Sequence, residues 1–254
     1  MLKYLVPLFP KEYKVFVDVF GGSAAVLLSQ ERPRVNEVYN DLGQNVYSLY
    51  KVISDKEMMT ELRQKLELTP YSEQFRNEFM EDLQRKDLSL VERAYKFMYV
   101  SRTSYNGQID TGGYLSITNV KGRKISKDVS CYLAAVEGLE DLHKRLSTVV
   151  ILNRDAFKVL DKYDDVDAFL YIDPPYIKST RIISTKYEVE MTDEEHKRLV
   201  DKVLGMKSKI MISAYDHPIY DKLQSKFERH EFTSPFSTSN KIEVVWTNYK
   251  IERN

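Results

Sequence analysis

The stretch that most constrains this chain is AFLYIDPPY, residues 168–176. Five apolar or aromatic residues in a row fit a strand covered on both faces, as strands of a parallel sheet are. The run stops at Asp173-Pro174-Pro175-Tyr176. Proline has no N–H to give the ladder, and the residue before a proline is held extended. Asp173 is therefore fixed where the strand ends, and the carbonyl of Pro174 is left without a sheet partner. A parallel strand delivers that end to the crevice where open α/β sheets bind ligands. Carboxylate and carbonyl together make two acceptors, which suits an exocyclic amino group with two N–H donors. Tyr176 adds a flat face on which a base stacks, worth about 1–3 kcal/mol. An amino group on a purine is a poor nucleophile because its lone pair is delocalised into the ring. Two acceptors on its hydrogens favour the rehybridised amine and stabilise the positive charge that develops as it attacks. An ordinary strand-ending turn with a solvated aspartate is the alternative reading; the apolar strand before Asp-Pro-Pro and the tyrosine after it favour the binding site over that turn.

The rest of the chain supplies a sheet for that strand. KVFVDVF reads as a buried strand, followed by the tight turn GGS and the helix start AAVLLSQ. RVNEVYND reads as a second strand ending at Asp41, with a helix after it, so a βαβ unit and a parallel sheet are expected. From about 55 to 100 the period turns helical, with Leu62, Leu66, Phe75, Phe79 and Leu83 spaced three or four apart within their segments. Residues 101–127 are rich in Gly, Ser, Thr and Asn, as loops are. Helical period returns at CYLAAVEGLEDLHKRL, and VVIL and AFLYI resume the sheet. Thr192 with Glu195 predicts a capping box opening a helix to Leu204; KIMISAY is a further buried strand, and KIEVVWTNY an edge or antiparallel one. The sheet domain is thus split. Residues 1–55 and 148–254 form it, and residues 56–147 are inserted between its second and fourth strands.

The first βα turn is a second constellation. Asp18, Phe20, Gly21, Gly22 and Ser23 stand where a nucleotide cofactor would lie, and the glycines let the backbone approach a ligand closely. Asp41, at the end of the second strand, is placed to bind ribose hydroxyls. This spacing serves NAD and S-adenosylmethionine equally.

Composition excludes more than it selects. Lys and Arg balance Asp and Glu at 38 each, so no global basic field marks a nucleic-acid partner. Locally, Lys96, Arg102, Lys121, Arg123, Lys124 and Lys127 share residues 94–130 with only Asp110 and Asp128. No apolar run is long enough to span a bilayer. The one cysteine, Cys131, excludes an internal disulfide framework, fits a reducing cytoplasm and reads as a small buried apolar residue. Four scattered histidines offer no zinc spacing, so no metal site is expected.

DVFGGSAAVLL, YNDLGQ, SRTSYNGQ, NRDAF, YIDPPY, ISAYD and EVVWTNY occur in the order found in Dam-type adenine-specific DNA methyltransferases, which the chain resembles over nearly its whole length. The resemblance implies an α/β, Rossmann-like S-adenosylmethionine-dependent sheet carrying an inserted, mainly helical target-recognition lobe. It implies methyl transfer from S-adenosylmethionine to the N6 amino group of adenine in double-stranded DNA, with the base flipped out of the duplex. It assigns Asp18, Phe20 and Gly22 to the cofactor pocket, Asp41 to the ribose, and Asp155 with Phe157 to the cofactor's adenine. Asp173, Pro174, Pro175 and Tyr176 would hold the target base, Asp173 also bordering the cofactor. Arg102 and Asn106 match a DNA-facing segment. Lys121, Arg123, Lys124 and Lys127, and beyond the tetrad Lys178, Arg181 and Lys186, are candidate phosphate contacts. A modification role would add a restriction endonuclease sharing the same site.

Three departures stand out. The Gly-Gly-Lys segment that opens Dam-type enzymes is absent, and the chain begins MLKYLVPLFP, which resembles the helix after that segment: either the chain starts late or the enzyme manages without it, and cofactor affinity and activity depend on which. Gln108, Ile109 and Asp110 follow Asn106-Gly107 where readers of GATC carry an arginine, so that target is not carried over. Ala24 replaces a glycine frequent in relatives, a change expected to matter little. Two other readings remain open: an RNA adenine methyltransferase, or a catalytically impaired relative that only binds DNA. A nicotinamide-dependent dehydrogenase shares the glycine turn but has no use for the tetrad.

Overall fold

A computed structural model of the chain describes residues 2–30, 35–104, 125–180, 188–233 and 242–251. It divides into two compact units, residues 1–43 with 149–254, and residues 44–148.

Among its described residues the first unit has seven strands: β1 (Val15–Asp18), β2 (Asn36–Asn40), β3 (Val149–Leu152), β4 (Ala168–Ile172), β5 (Lys209–Tyr215), β6 (Glu228–Thr233) and β7 (Ile242–Thr247). Among the described residues their order is β3-β2-β1-β4-β5-β7-β6, the first five parallel and β7 antiparallel to both neighbours. KIEVVWTNY is therefore antiparallel, but not the edge. That position belongs to β6, whose ERHEFT carries the charge typical of an exposed margin.

β4 lies at the centre, and all five of its residues are buried. Alternate side chains point to opposite faces. Val17, Leu170, Ile172, Ile210 and Ile212 join one cluster with Leu199, Val200 and Val203 of the helix Asp193–Leu204. Phe16 and Phe169 pack 5.4 Å apart, and Phe9, Tyr13 and Tyr249 close around Phe169. Emptying either ring position (Phe→Ala) costs on the order of 3–5 kcal/mol.

The helices of this unit are α1 (Leu2–Leu5), α2 (Ala25–Leu28), α9 (Ala156–Lys162) and α10 (Asp193–Leu204). Thr192 caps α10, accepting from the Glu195 N–H while the Glu195 carboxylate accepts from the Thr192 N–H at 2.7 Å, so the capping box is formed.

The second unit holds α3 (Gln44–Ser54), α4 (Lys56–Glu67), α5 (Glu73–Asp82), α6 (Leu90–Thr103), α7 (Lys127–Glu137) and α8 (Leu139–Leu146). Asp55, Ser72, Ser89 and Ser126 each cap a helix with their side chains. Of the predicted apolar stripe, Leu62, Leu66, Phe79 and Leu83 are buried and Phe75 is half-buried, and Phe79, Tyr99 and Tyr132 form an edge-to-face chain. As a compact unit it runs from Gln44 to Thr148, with α3 packed against α6, α4 and α8. One expectation is corrected here. Cys131 is exposed on α7, where burial was expected. No helix among the described residues is long and apolar enough to cross a membrane.

Candidate active site

The ends of β1, β2 and β4 come together by strand register. β1 pairs with β2 on one side and β4 on the other, so Asp18 aligns with both Tyr39 and Tyr171. This is where the strand order reverses direction, the place where α/β sheets bind ligands.

The chain leaving β1 is held by groups from β2. The Gly21 N–H donates to the Asn40 carbonyl at 2.8 Å, the Tyr39 hydroxyl donates to the Gly22 carbonyl at 2.8 Å, and the Gly22 N–H donates to the Asp41 carboxylate at 2.9 Å. A Cβ on Gly21 would lie 2.2 Å from the Tyr39 ring, so only glycine permits the approach. Gly22 has φ +47 and open space on its Cβ side. Ala24 is also left-handed, at φ 53 and ψ 22, which costs an L-residue roughly 1–2 kcal/mol.

Asn40 is a clamp that sequence reasoning missed. Its side chain is buried, its Nδ2 donates to the carbonyls of Val19 and Arg154 at 2.9 and 3.0 Å, and its Oδ1 accepts from the Arg154 N–H at 2.9 Å. One amide thereby fixes the loops after β1 and β3. Asp41 accepts a second backbone bond from the Gly43 N–H at 2.7 Å, so its carboxylate shapes the turn whatever else it binds; burial raises its pKa, against the pull of these two donors.

Asp18 is 1% exposed, and among the described residues its Oδ1 has no hydrogen-bond partner. Burial first, then the carboxylates of Asp173 and Asp41, drive its pKa well above the ordinary carboxylate range. Asp173 likewise has an Oδ1 without a partner. Burial and the nearby Glu243 carboxylate raise its pKa to about 7, although the hydroxyls of Tyr176, Tyr171 and Ser213 favour its charged form. Tyr176 lies against Tyr215 with ring centroids 4.4 Å apart. Tyr215 pairs across the ladder with Glu243, which places that acid beside the tetrad.

The remaining expected site residues have other surroundings. Asp155 is exposed and caps α9 through the Lys158 N–H, while Phe157 is buried with the Arg198 guanidinium 4.1 Å from its ring centroid. Phe20 is half-buried and packed against the core, and Ser23 is exposed. Lys178 is exposed in the 3-10 turn Lys178–Thr180, directly after the tetrad. In the second unit, Arg102 is exposed in the last turn of α6 and Lys127 begins α7. Asn106, Lys121, Arg123, Lys124, Arg181 and Lys186 lie outside the described residues. Ser213, Tyr215, Glu243 and Asn40 had no assigned role in the sequence. The only signal for the first three was that ISAYD and EVVWTNY, which contain or adjoin them, recur in relatives.

Two buried, unpartnered carboxylate oxygens under the strand ends suit a cationic or donor-rich ligand. S-adenosylmethionine carries a sulfonium and an ammonium, and the glycine turn leaves open space beside Gly22, so the residues present fit that cofactor.

Comparison with known proteins agrees. A family model for D12 class N6 adenine-specific DNA methyltransferases matches residues 1–250. The chain is 27% identical over 270 residues to the type II methyltransferase M1.LlaDCHI of Lactococcus lactis subsp. cremoris, covering 98% of this chain and 91% of the relative. It is 26% identical over 246 residues to the type II methyltransferase M.MjaIII of Methanocaldococcus jannaschii, covering 86% and 81%. It is 22% identical over 243 residues to the type II methyltransferase M.CviBI of Paramecium bursaria Chlorella virus NC1A, covering 89% and 86%. The mostly parallel seven-stranded sheet accords with the S-adenosylmethionine-dependent methyltransferase fold. The chain belongs to the D12 class N6 adenine-specific DNA methyltransferases.

Proposed function

We propose that this chain methylates the N6 amino group of adenine in duplex DNA, with S-adenosylmethionine as cofactor and the target base turned out of the helix. The observation that carries the reading is Asp173: a half-buried residue whose Oδ1 is buried and unpartnered, at the end of a central strand, beside Pro174 and Tyr176. Bound at the glycine turn, S-adenosylmethionine supplies an activated methyl group on a sulfonium sulfur. Asp18, Phe20, Gly21, Gly22 and Ser23 would hold its methionine side, Asp41 the ribose, and Asp155 with Phe157 the adenine.

Asp173 Oδ1 and the Pro174 carbonyl would accept the two N6 hydrogens of the target, orienting the nitrogen lone pair away from them. Tyr176, backed by Tyr215, would stack on the flipped base. Transfer leaves one N–H proton to be lost, and Asp173, with a pKa of about 7, is suited to hold it at Oδ1. Residues 44–148 would form the target-recognition unit. Arg102, Asn106, Lys121, Arg123, Lys124, Lys178 and Arg181 would contact DNA. The relatives are named as type II methyltransferases, and by that likeness this enzyme would act in the cytoplasm beside a restriction endonuclease that shares its site.

Base flipping has its own test. A duplex with 2-aminopurine at the mapped target adenine should brighten on binding, as that base leaves the stack. Saturating binding with no brightening would mean that the base is not extruded.

A further inference from the structure

The last turn of α6 is poorly held by its own sequence. It reads SRTS over residues 101–104, and serine or threonine hydroxyls compete with a helix for its carbonyls. All three do so here. Ser101 Oγ donates to the Phe97 carbonyl at 2.7 Å, Thr103 Oγ1 to the Tyr99 carbonyl at 2.8 Å, and Ser104 Oγ to the Val100 carbonyl at 2.7 Å. Back-bonding of this kind slightly destabilises a helix, and at Ser104 the backbone turns extended. The support comes from α5 and the residues just before it. The Tyr71 hydroxyl donates to the Thr103 carbonyl at 3.4 Å, and Arg76 Nε donates to Ser104 Oγ at 3.2 Å. Because Ser104 gives its one hydroxyl hydrogen to Val100, it meets Arg76 as an acceptor.

Arg76 is only 4% exposed. Burying a guanidinium is costly unless hydrogen bonds compensate, so an arginine in such a place serves the contacts it makes. Its backbone N–H donates to the Ser72 carbonyl at 3.1 Å and its Nη1 to Asn77 Oδ1 at 3.2 Å, which fixes the side chain at both ends. Ser72 is itself tied to α6, its N–H donating to the Tyr99 hydroxyl at 2.7 Å. The start of α5 and the end of α6 thus form one hydrogen-bonded block, and Arg102 is exposed in that block, two residues before Ser104. We propose that Arg76 is a positioning residue for DNA recognition: through Ser104 it fixes the last turn of α6, and so sets how Arg102 is presented to DNA. The proposal rests on the reading of Arg102 as a DNA contact. Arg76, being buried, touches no DNA in this account.

The test compares Arg76→Met, Arg76→Lys, Ser104→Ala, Arg102→Ala and the double variant Arg76→Met with Arg102→Ala against the unaltered full chain. The readouts are affinity for unmethylated genomic DNA by filter binding, KM and kcat on that DNA, S-adenosylmethionine affinity by calorimetry, and melting temperature. Sequencing of the methylated product gives the share of methyl groups placed outside the site that the unaltered enzyme prefers. Arg76→Met keeps the stem but loses the donors, and should weaken DNA affinity and raise KM roughly 3–10-fold, the scale of one hydrogen bond's net worth. The off-site share should rise with it. At saturating DNA, kcat should stay within about threefold, as expected when binding alone is lost. Cofactor affinity should not change. Ser104→Ala should act in the same direction but less, and Arg76→Lys, whose ammonium can still donate to Ser104, should recover part of the loss. In the Arg102→Ala background, Arg76→Met should add less than about twofold, because the two substitutions act through one contact.

DNA affinity unchanged in both Arg76→Met and Ser104→Ala would overturn the proposal. So would losses that multiply in full in the Arg102→Ala background, or a lowered melting temperature with site preference intact. If Arg76→Met does not fold, Ser104→Ala alone and combined with Arg102→Ala decides by the same criteria. The two readings fail separately. Arg102→Ala without effect on DNA affinity or site preference would remove Arg102 as a DNA contact, and the proposal with it. An effect in Arg102→Ala but none in Arg76→Met or Ser104→Ala would leave Arg102 standing and sink the proposal alone.

Discussion

Replacing Asp173 with asparagine should make the cofactor-free protein more stable while disabling it. The folded protein holds this carboxyl at a pKa of about 7 against an ordinary 3.8. At about 1.4 kcal/mol for each tenfold change in an ionisation constant, the ionised group costs the fold about 4 kcal/mol. Because the folded pKa is raised, the folded state keeps its proton where the unfolded chain has lost it. The favourable contribution is therefore complete below about pH 3.8 and is lost as pH rises through about 7. Asparagine removes the charge but weakens the contacts from Tyr176, Tyr171 and Ser213, each worth about 1 kcal/mol. A net gain of about 1–3 kcal/mol should remain at pH 8. That corresponds to a rise in Tm of roughly 3–10 °C for a chain of this size.

The assay is urea and thermal unfolding of both proteins at matched pH between 4.5 and 8.5, without cofactor. Titrations common to the two cancel in the difference, which should be smallest at the acid end and grow toward pH 8. A variant less stable than the parent at pH 8, or a difference that does not depend on pH, would refute the reasoning. Saturating S-adenosylmethionine should stabilise the parent more than the variant, as expected when the removed charge serves ligand binding.

The glycine turn gives a second test. Gly21→Ala drives a Cβ into the Tyr39 ring and should cost about 1–3 kcal/mol in chemical denaturation, with cofactor affinity falling at least severalfold. Ala24→Gly relieves a left-handed alanine but gives up a buried methyl worth about 0.8 kcal/mol, so stability should change by less than about 1 kcal/mol. Ala24→Val, β-branched at the same φ, should instead destabilise by more than about 2 kcal/mol in the same measurement. Asn40→Ala strips three hydrogen bonds from a buried clamp and should cost about 2–4 kcal/mol by urea titration, with the loss extending to cofactor binding. DNA affinity of the intact enzyme should fall steeply between 50 and 200 mM salt in a filter-binding series, since phosphate contacts carry most non-specific attraction.

The parallel strands were legible because all but β2 are largely apolar runs bounded by turn residues, and the tetrad because proline restricts both itself and the residue before it. The capping box was equally legible: Thr192 and Glu195 satisfy each other within four residues. β6 escaped notice because an edge strand with charge along it, as in ERHEFT, has neither the alternation nor the apolarity that marks a strand. α3 has a helical pattern that says nothing about which unit it packs against. The left-handed turn at Ala24 is a backbone angle, invisible where the residue is not glycine. Glu243 reaches the site only through the antiparallel register of β7 on β5, and His196 meets Tyr220 only through the packing of α10 on the 3-10 turn Pro218–Ser225. Such neighbours are distant in the chain, and no local pattern announces them.

The most direct test of the central claim is methyl transfer from labelled S-adenosylmethionine to unmethylated genomic DNA and, in parallel, to total RNA, with Asp173→Ala alongside. The account predicts label at N6 of adenine in DNA, reduced on the order of 10²–10³-fold in the variant. Label confined to RNA, or transfer to DNA undiminished in Asp173→Ala, would contradict it.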